Sequence, residues 1–198
     1  MIYFQKVLNN NTIRELSKTA IEVFKEHYYP ILAEEQCEYM VKLFHTPSAI
    51  KQQQRQGAIF YLVYSNTEVI GFFAIEKHGV KMYLSRLYLR KEYRRNGIGR
   101  RMLNKVFELS ENCQAVYLRV NKQNDDSLHF YLHQGFVEIG QMVEDIGSGY
   151  KMDDYILQKE LKKIEPIVKN KKGEKKGGNK KERNQSRSQE ENSSKAGS

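Results

Sequence analysis

Apolar residues recur along this chain at two periods, and the periods divide it into elements. Residues 1–7 alternate apolar and polar side chains, as a strand with one covered face does. Asn9-Asn10-Asn11-Thr12 supplies turn formers and a helix start, and Glu15 follows Thr12 at the spacing of a capping box. Ile13, Leu16, Ala20, Val23, Phe24 and His27 then recur at helical spacing on one face, and Pro30 closes that helix. A second helix carries Cys37, Met40, Val41 and Phe44 on one stripe, flanked by Glu34, Glu35 and Glu38. Thr46-Pro47-Ser48 opens a short polar helix that ends near Gly57.

The next segments read as strands. Residues 58–64 and 69–75 are apolar and aromatic runs joined by Ser65-Asn66-Thr67-Glu68, and His78-Gly79 makes a second turn. The strand that follows is apolar at even positions, Met82 and Leu84, and then at odd ones, Leu87 and Leu89. A strand alternates with period two, so the phase flip predicts one extra residue, a β-bulge, near Ser85-Arg86. Ile98, Met102, Leu103, Val106 and Phe107 form a helical face, and Val116, Leu118 and Val120 alternate as a strand. A polar segment, residues 121–126, leads into a helix through Leu128, Tyr131 and Leu132 that ends on Gly135 as a left-handed cap. Two last strands, 136–145 and 151–160, flank Ile146-Gly147-Ser148-Gly149. The order predicts a mixed α/β layout.

Composition sharpens the boundaries. The chain has 198 residues and a formal net charge of +9, but residues 162–198 hold 12 of the 33 Lys/Arg and only 5 of the 24 Asp/Glu. Residues 1–161 therefore carry +2, which removes most of the case for a nucleic-acid-binding domain. Beyond Pro166 the only aliphatic residues are Ile167, Val168 and Ala196, so residues 162–198 are expected to form a basic, disordered tail with at most a loose attraction to nucleic acid or acidic surfaces. Cys37 and Cys113 show no paired spacing, no apolar run approaches the roughly 20 residues of a membrane span, and the first residues lack the apolar core of a signal peptide. A cytoplasmic location is the expectation. His78, His129 and His133 have no metal-binding spacing, and no metal is expected.

The candidate chemistry sits between the bulged strand and the next helix. Arg94-Arg95-Asn96-Gly97-Ile98-Gly99, followed by Arg100, places glycines and forked donors at a helix N-terminus, where unpaired N–H groups favour anions. A Rossmann fingerprint would need glycine at Met102, and a Walker loop would need Gly-Lys-Ser/Thr after the glycines; neither fits. The Arg-x-x-Gly-x-Gly pattern instead resembles the pyrophosphate loop of the GNAT superfamily of N-acetyltransferases. Downstream, Asn124 precedes Tyr131 by seven residues and Gly135-Phe136 follow, which resembles the family's second signature.

The resemblance, covering residues 1–161, implies a splayed mixed sheet of about seven strands with four or so helices. It implies acetyl-CoA as cosubstrate, its pantetheine arm beside the backbone of Leu87, Tyr88 and Leu89. The pyrophosphate would meet the N–H groups of Arg94, Arg95, Asn96, Gly97, Ile98 and Gly99, with Arg100, and Asn124 would hydrogen-bond the cofactor arm. Tyr131 would act as general acid toward the departing thiolate while a neutral amine attacks directly. Many relatives carry a glutamate base on the bulged strand; here no carboxylate lies between Lys81 and Lys91, and Ser85-Arg86 occupies that neighbourhood. The expected acceptor is a small primary amine such as a polyamine or amino compound, with Glu34, Glu35 and Glu38 placed to attract a cation. Rival expectations are acetylation of a protein N-terminus or lysine, and a non-catalytic acetyl-CoA-binding module. A homodimer is compatible with the resemblance.

Overall fold

Residues 1–161 are described by a computed structural model, whose first half runs β1 (Ile2–Lys6), α1 (Asn10–Tyr28), α2 (Glu34–Phe44), α3 (Pro47–Arg55), β2 (Ile59–Ser65) and β3 (Glu68–His78). Then come β4 (Lys81–Leu89), a 3-10 turn (Lys91–Tyr93), α4 (Ile98–Leu109), β5 (Ala115–Asn121), α5 (Asp125–His133), β6 (Val137–Gly147) and β7 (Tyr150–Glu160). The strands form one seven-stranded sheet in the order β1-β2-β3-β4-β5-β7-β6. Among the described residues only β4 and β5 pair in parallel, joined through α4. There are five α-helices among the described residues, against the four or so expected. The expectation of a disordered basic tail falls on residues 162–198, outside the described residues.

The helix starts follow from side-chain caps. The expected box of Thr12 and Glu15 is one turn too late. Asn9 is the N-cap of α1: its Oδ1 accepts from the Thr12 N–H at 3.0 Å, and the Thr12 hydroxyl faces the Asn9 N–H at 3.3 Å. Asparagine satisfies the orphan N–H groups as well as threonine does, so the first capping-competent residue after β1 sets the boundary. Thr46 caps α3 through the Ala49 N–H, with Pro47 at its first position.

The central strands are covered on both faces, which is why they read as nearly unbroken apolar runs. Phe60, Leu62, Phe72 and Ala74 pack under α1 and α3 with Ile13, Leu16, Ala20 and Ile50. On the other face Val63, Phe73 and Ile75 join Met102, Leu103 and Val106 of α4, with Leu118, Phe136 and Leu157. A smaller cluster of Phe24, Cys37, Met40 and Val41 fastens α2 to α1. Both cysteines are buried and free. Among the described residues no helix is long and apolar enough to cross a membrane.

Candidate active site

The predicted bulge decides where the sheet opens. Arg86 pairs with Ala74 and Leu84 with Ile75, so Ser85 is the unmatched residue, its hydroxyl 3.3 Å from the Ala74 carbonyl oxygen. Leu84 therefore shares a face with Leu87 and Leu89, while Arg86 and Tyr88 turn to the other. The pairing of β4 with β5 stops at Leu84↔Leu118, although both strands continue. Past that point β4 holds only β3, and β5 holds only β7. Among the described residues the facing backbone edge of Leu87–Leu89 is thus left without a ladder partner, and a cleft of about 560 Å³ opens between the parted strands.

At one end the cleft meets the start of α4. Gly97, the N-cap residue, has φ +73°, the left-handed region that suits glycine, and no side chain caps the helix. Arg94, Arg95, Gly97, Gly99 and Arg100 all line the cleft there. Arg94 is held by its Nε donating to the Leu89 carbonyl at 2.9 Å and by Glu26, whose carboxylate lies 3.7 Å from Nη2. Free helical N–H groups, the helix dipole and three guanidinium groups give this end the chemistry that suits an anion.

The other wall comes from α5, α1 and β4. Tyr131 lines the cleft and is 7% exposed. Burial, with the neighbouring Tyr88 hydroxyl adding to it, pushes the Tyr131 phenol well above its ordinary value, so it stays protonated at any physiological pH. Burial also raises Tyr28 and Tyr88. Asn124 caps α5: its Oδ1 accepts from the Ser127 N–H at 3.2 Å. That fixes the amide orientation, so Nδ2 donates to His27 Nε2 at 2.8 Å and the His27 proton sits on Nδ1. Burial, and secondly the charge of Arg94, lower the His27 pKa and keep the ring neutral.

Most of the residues singled out in the sequence meet here. Tyr131, Leu87, Tyr88, Leu89, Arg94, Arg95, Gly97, Gly99, Arg100 and Asn124 line one cleft, while Asn96 and Ile98 do not. Asn96 is exposed on the loop, and Ile98, 8% exposed, packs into the core as the first apolar residue of the α4 stripe. Asn124 enters already engaged with the Ser127 N–H and His27. The acidic stripe on α2 stands elsewhere: Glu38 is paired with Lys25 and accepts from the Tyr29 hydroxyl, and Glu34 and Glu35 do not line the cleft. Sequence reasoning missed His27, Tyr28, Arg86 and Arg119, all of which line it. His27 reads as one more position on the buried stripe of α1, three residues after Phe24; a polar ring there was the available signal. Arg86 was marked by a charge in phase with Tyr88 on an otherwise apolar strand.

The geometry has relatives. The model of the Acetyltransferase (GNAT) family matches residues 20–136. The chain belongs to this family. Among its relatives, the GNAT chain is 27% identical over 162 residues to the spermidine N(1)-acetyltransferase of Thermoplasma acidophilum, covering 74% of this chain and 95% of that protein. It is 29% identical over 117 residues to N-alpha-acetyltransferase 50 of Danio rerio, covering 54% of this chain and 67% of the other. The PaiA N-acetyltransferase of Thermoplasma acidophilum, solved in complex with coenzyme A, superposes with a TM-score of 0.64 at 24% identity, covering 81% of this chain and 99% of that one. The splayed seven-stranded sheet is the GNAT fold.

Proposed function

We propose that this N-acetyltransferase moves the acetyl group of acetyl-CoA onto the primary amine of a small molecule, within a ternary complex at the β4–β5 cleft. One observation carries the reading: a single cleft joins an uncapped, arginine-flanked helix N-terminus to a buried, protonated phenol across an unpaired strand edge. Each part fits one part of the cosubstrate. Arg94, Arg95, Arg100 and the N–H groups opening α4 suit the pyrophosphate. The open edge of Leu87–Leu89 suits an amide-bearing arm, which would add to the sheet as a strand does. Acetyl-CoA supplies the activated acetyl thioester.

The protein's own groups then orient and move a proton. Tyr131 holds a hydroxyl proton in a nearly dry setting, where a thiolate is as poorly solvated as the phenolate it would leave behind. That matching offsets the high pKa of the phenol. No carboxylate occupies β4 beside the bulge, so the acceptor enters as the free amine and the rate rises with pH toward the amine's own pKa, near 10 for an alkylamine. The two similar relatives bear the names of a spermidine and a protein N-terminal acetyltransferase. Thiol release with a panel of small amines and short peptides, followed by the mass of the acetylated product, tests the reading. A small amine gaining one acetyl group is the expected result. Peptide-only turnover would transfer the activity to protein acceptors, and binding of acetyl-CoA without any turnover would make the chain a binding module.

A further inference from the structure

Two arginines, Arg86 and Arg119, line the cleft at the end away from the phosphate loop. Arg119 is committed: Nη2 lies 2.6 Å from a Glu144 oxygen and 3.1 Å from Asp154 Oδ2, and Nε adds a second contact to Asp154 at 3.1 Å. Arg86 is not. It makes no ion pair among the described residues, and its one hydrogen bond there is from Nη1 to the Ser85 hydroxyl at 3.4 Å. Its guanidinium carbon lies 5.6 Å from the Phe44 ring centroid and 5.9 Å from that of Phe60, so two aromatic side chains fix a partly buried cation in place. Burial pulls its pKa down, yet a guanidinium stays charged. A partly buried charge with most of its donors free is costly unless a ligand completes it.

Its position tells which ligand. Arg86 follows the bulge directly and faces the side of the sheet where Tyr88 packs beneath α1 and α2. Four residues of strand, about 13 Å at the usual rise, separate it from Arg90, where the loop toward α4 begins. Anions at the α4 N-terminus and at Arg86 are therefore different anions. Asp126 is the one carboxylate among the described residues lining the cleft. A polycation would meet an unneutralised guanidinium, and the acidic stripe of α2 does not offset it.

We propose that Arg86 binds a carboxylate of the acceptor, so that the acceptor is an amino carboxylate, a primary amine and an acid on one small molecule. This rests on the acyl-transfer reading above. The guanidinium fork takes the carboxylate, and the amine end reaches the acetyl group beside Tyr131.

The test compares glycine, β-alanine, 4-aminobutyrate and L-lysine, each with its carboxamide, and adds putrescine, cadaverine and spermidine. Thiol release gives kcat/KM for each. The best amino carboxylate should exceed its amide by roughly 10–100-fold, mostly in KM, as charge-assisted bonds do. Arg86→Met should erase that ratio and Arg86→Lys restore part of it, while calorimetry shows acetyl-CoA affinity unchanged in both. A wild-type preference for amides or diamines overturns the proposal, as does a ratio that survives in Arg86→Met. If no amine is acetylated, calorimetric titration of the amino carboxylates into the protein–CoA complex decides alone. Binding that disappears in Arg86→Met supports the proposal, and no binding overturns it. Failure to bind acetyl-CoA at all is a separate result, and it sinks the acyl-transfer reading instead.

Discussion

On the proposed reading Tyr131 concentrates the chemistry in one hydroxyl, and its burial sets what kinetics should show. Phenylalanine keeps the ring that packs edge-on against Phe136, at 5.6 Å between centroids, and removes the proton. Tyr131→Phe should lower kcat by about 10²–10⁴-fold with acetyl-CoA affinity nearly unchanged, measured by steady-state thiol release and calorimetry. Because burial raises this phenol, the wild-type rate should keep rising with pH to about 10, without a descending limb that the variant lacks. A limb near pH 8–9 that vanishes in Tyr131→Phe would contradict the buried geometry. A second residue speaks to stability. His45 is 2% exposed, among the rings of Phe24, Phe44, Phe72 and Tyr88, and burial with the nearby charge of Arg86 holds its pKa well below 6.5. Below about pH 6.5 the unfolded chain takes up a proton that the folded chain refuses, so stability is full above that value and falls as pH drops through it. His27 acts in the same direction. The melting temperature should fall between about pH 7.5 and pH 5, and His45→Phe should flatten that slope; an unchanged slope would move the effect to other groups. The place of Tyr131 in the cleft was legible because Gly135-Phe136 fixes the register of its helix. His27 was not, since nothing local separates a core position from one bordering a cleft.

The bulge on β4 is the element that turns sequence into site. Its phase flip was legible in Met82, Leu84, Leu87 and Leu89, because the two-residue period of a strand leaves no other way to place them all on one face. The cap of α1 was read one turn late, because asparagine and threonine compete on nearly equal terms. The two loop glycines do different things: Gly97 takes a left-handed turn, while a Cβ on Gly99 would sit 3.3 Å from the Phe130 ring. The pairing of β3 with β4 near the cleft supplies a sharper test. A Cβ on Gly71 would stand 2.4 Å from the Tyr88 carbonyl oxygen, a backbone atom that cannot step aside. Gly71→Ala must therefore push β4 away from β3 at the cleft. Overpacking of this kind costs about 1–3 kcal/mol, which corresponds to a fall of about 2–12 °C in Tm, and acetyl-CoA affinity should weaken with it. Differential scanning calorimetry and titration check both. A variant with wild-type Tm and affinity would show that β3 and β4 are not held together as described.

At the scale of the whole molecule, the layout was legible because each layer leaves its own period: unbroken apolar runs for strands covered twice, stripes for the helices that cover them. Arg86 as a cation without an ion pair among the described residues was not, because that isolation is a property of the folded neighbourhood. Among the described residues, 1–161, three buried apolar clusters form, and the Leu161 N–H bonds the Gln114 carbonyl at 2.8 Å. Truncation after Leu161 should leave Tm and the rate of transfer almost unchanged; loss of several degrees by calorimetry would show that residues 162–198 support the domain. The central claim is that the parted strands β4 and β5 receive acetyl-CoA, and hydrogen exchange read residue by residue with and without saturating acetyl-CoA tests it most directly. Slowed exchange should concentrate at the amides of Leu87–Leu89 and of residues 94–100, with β6 unaffected. Binding that leaves those amides unprotected, or protects a different surface, would contradict it.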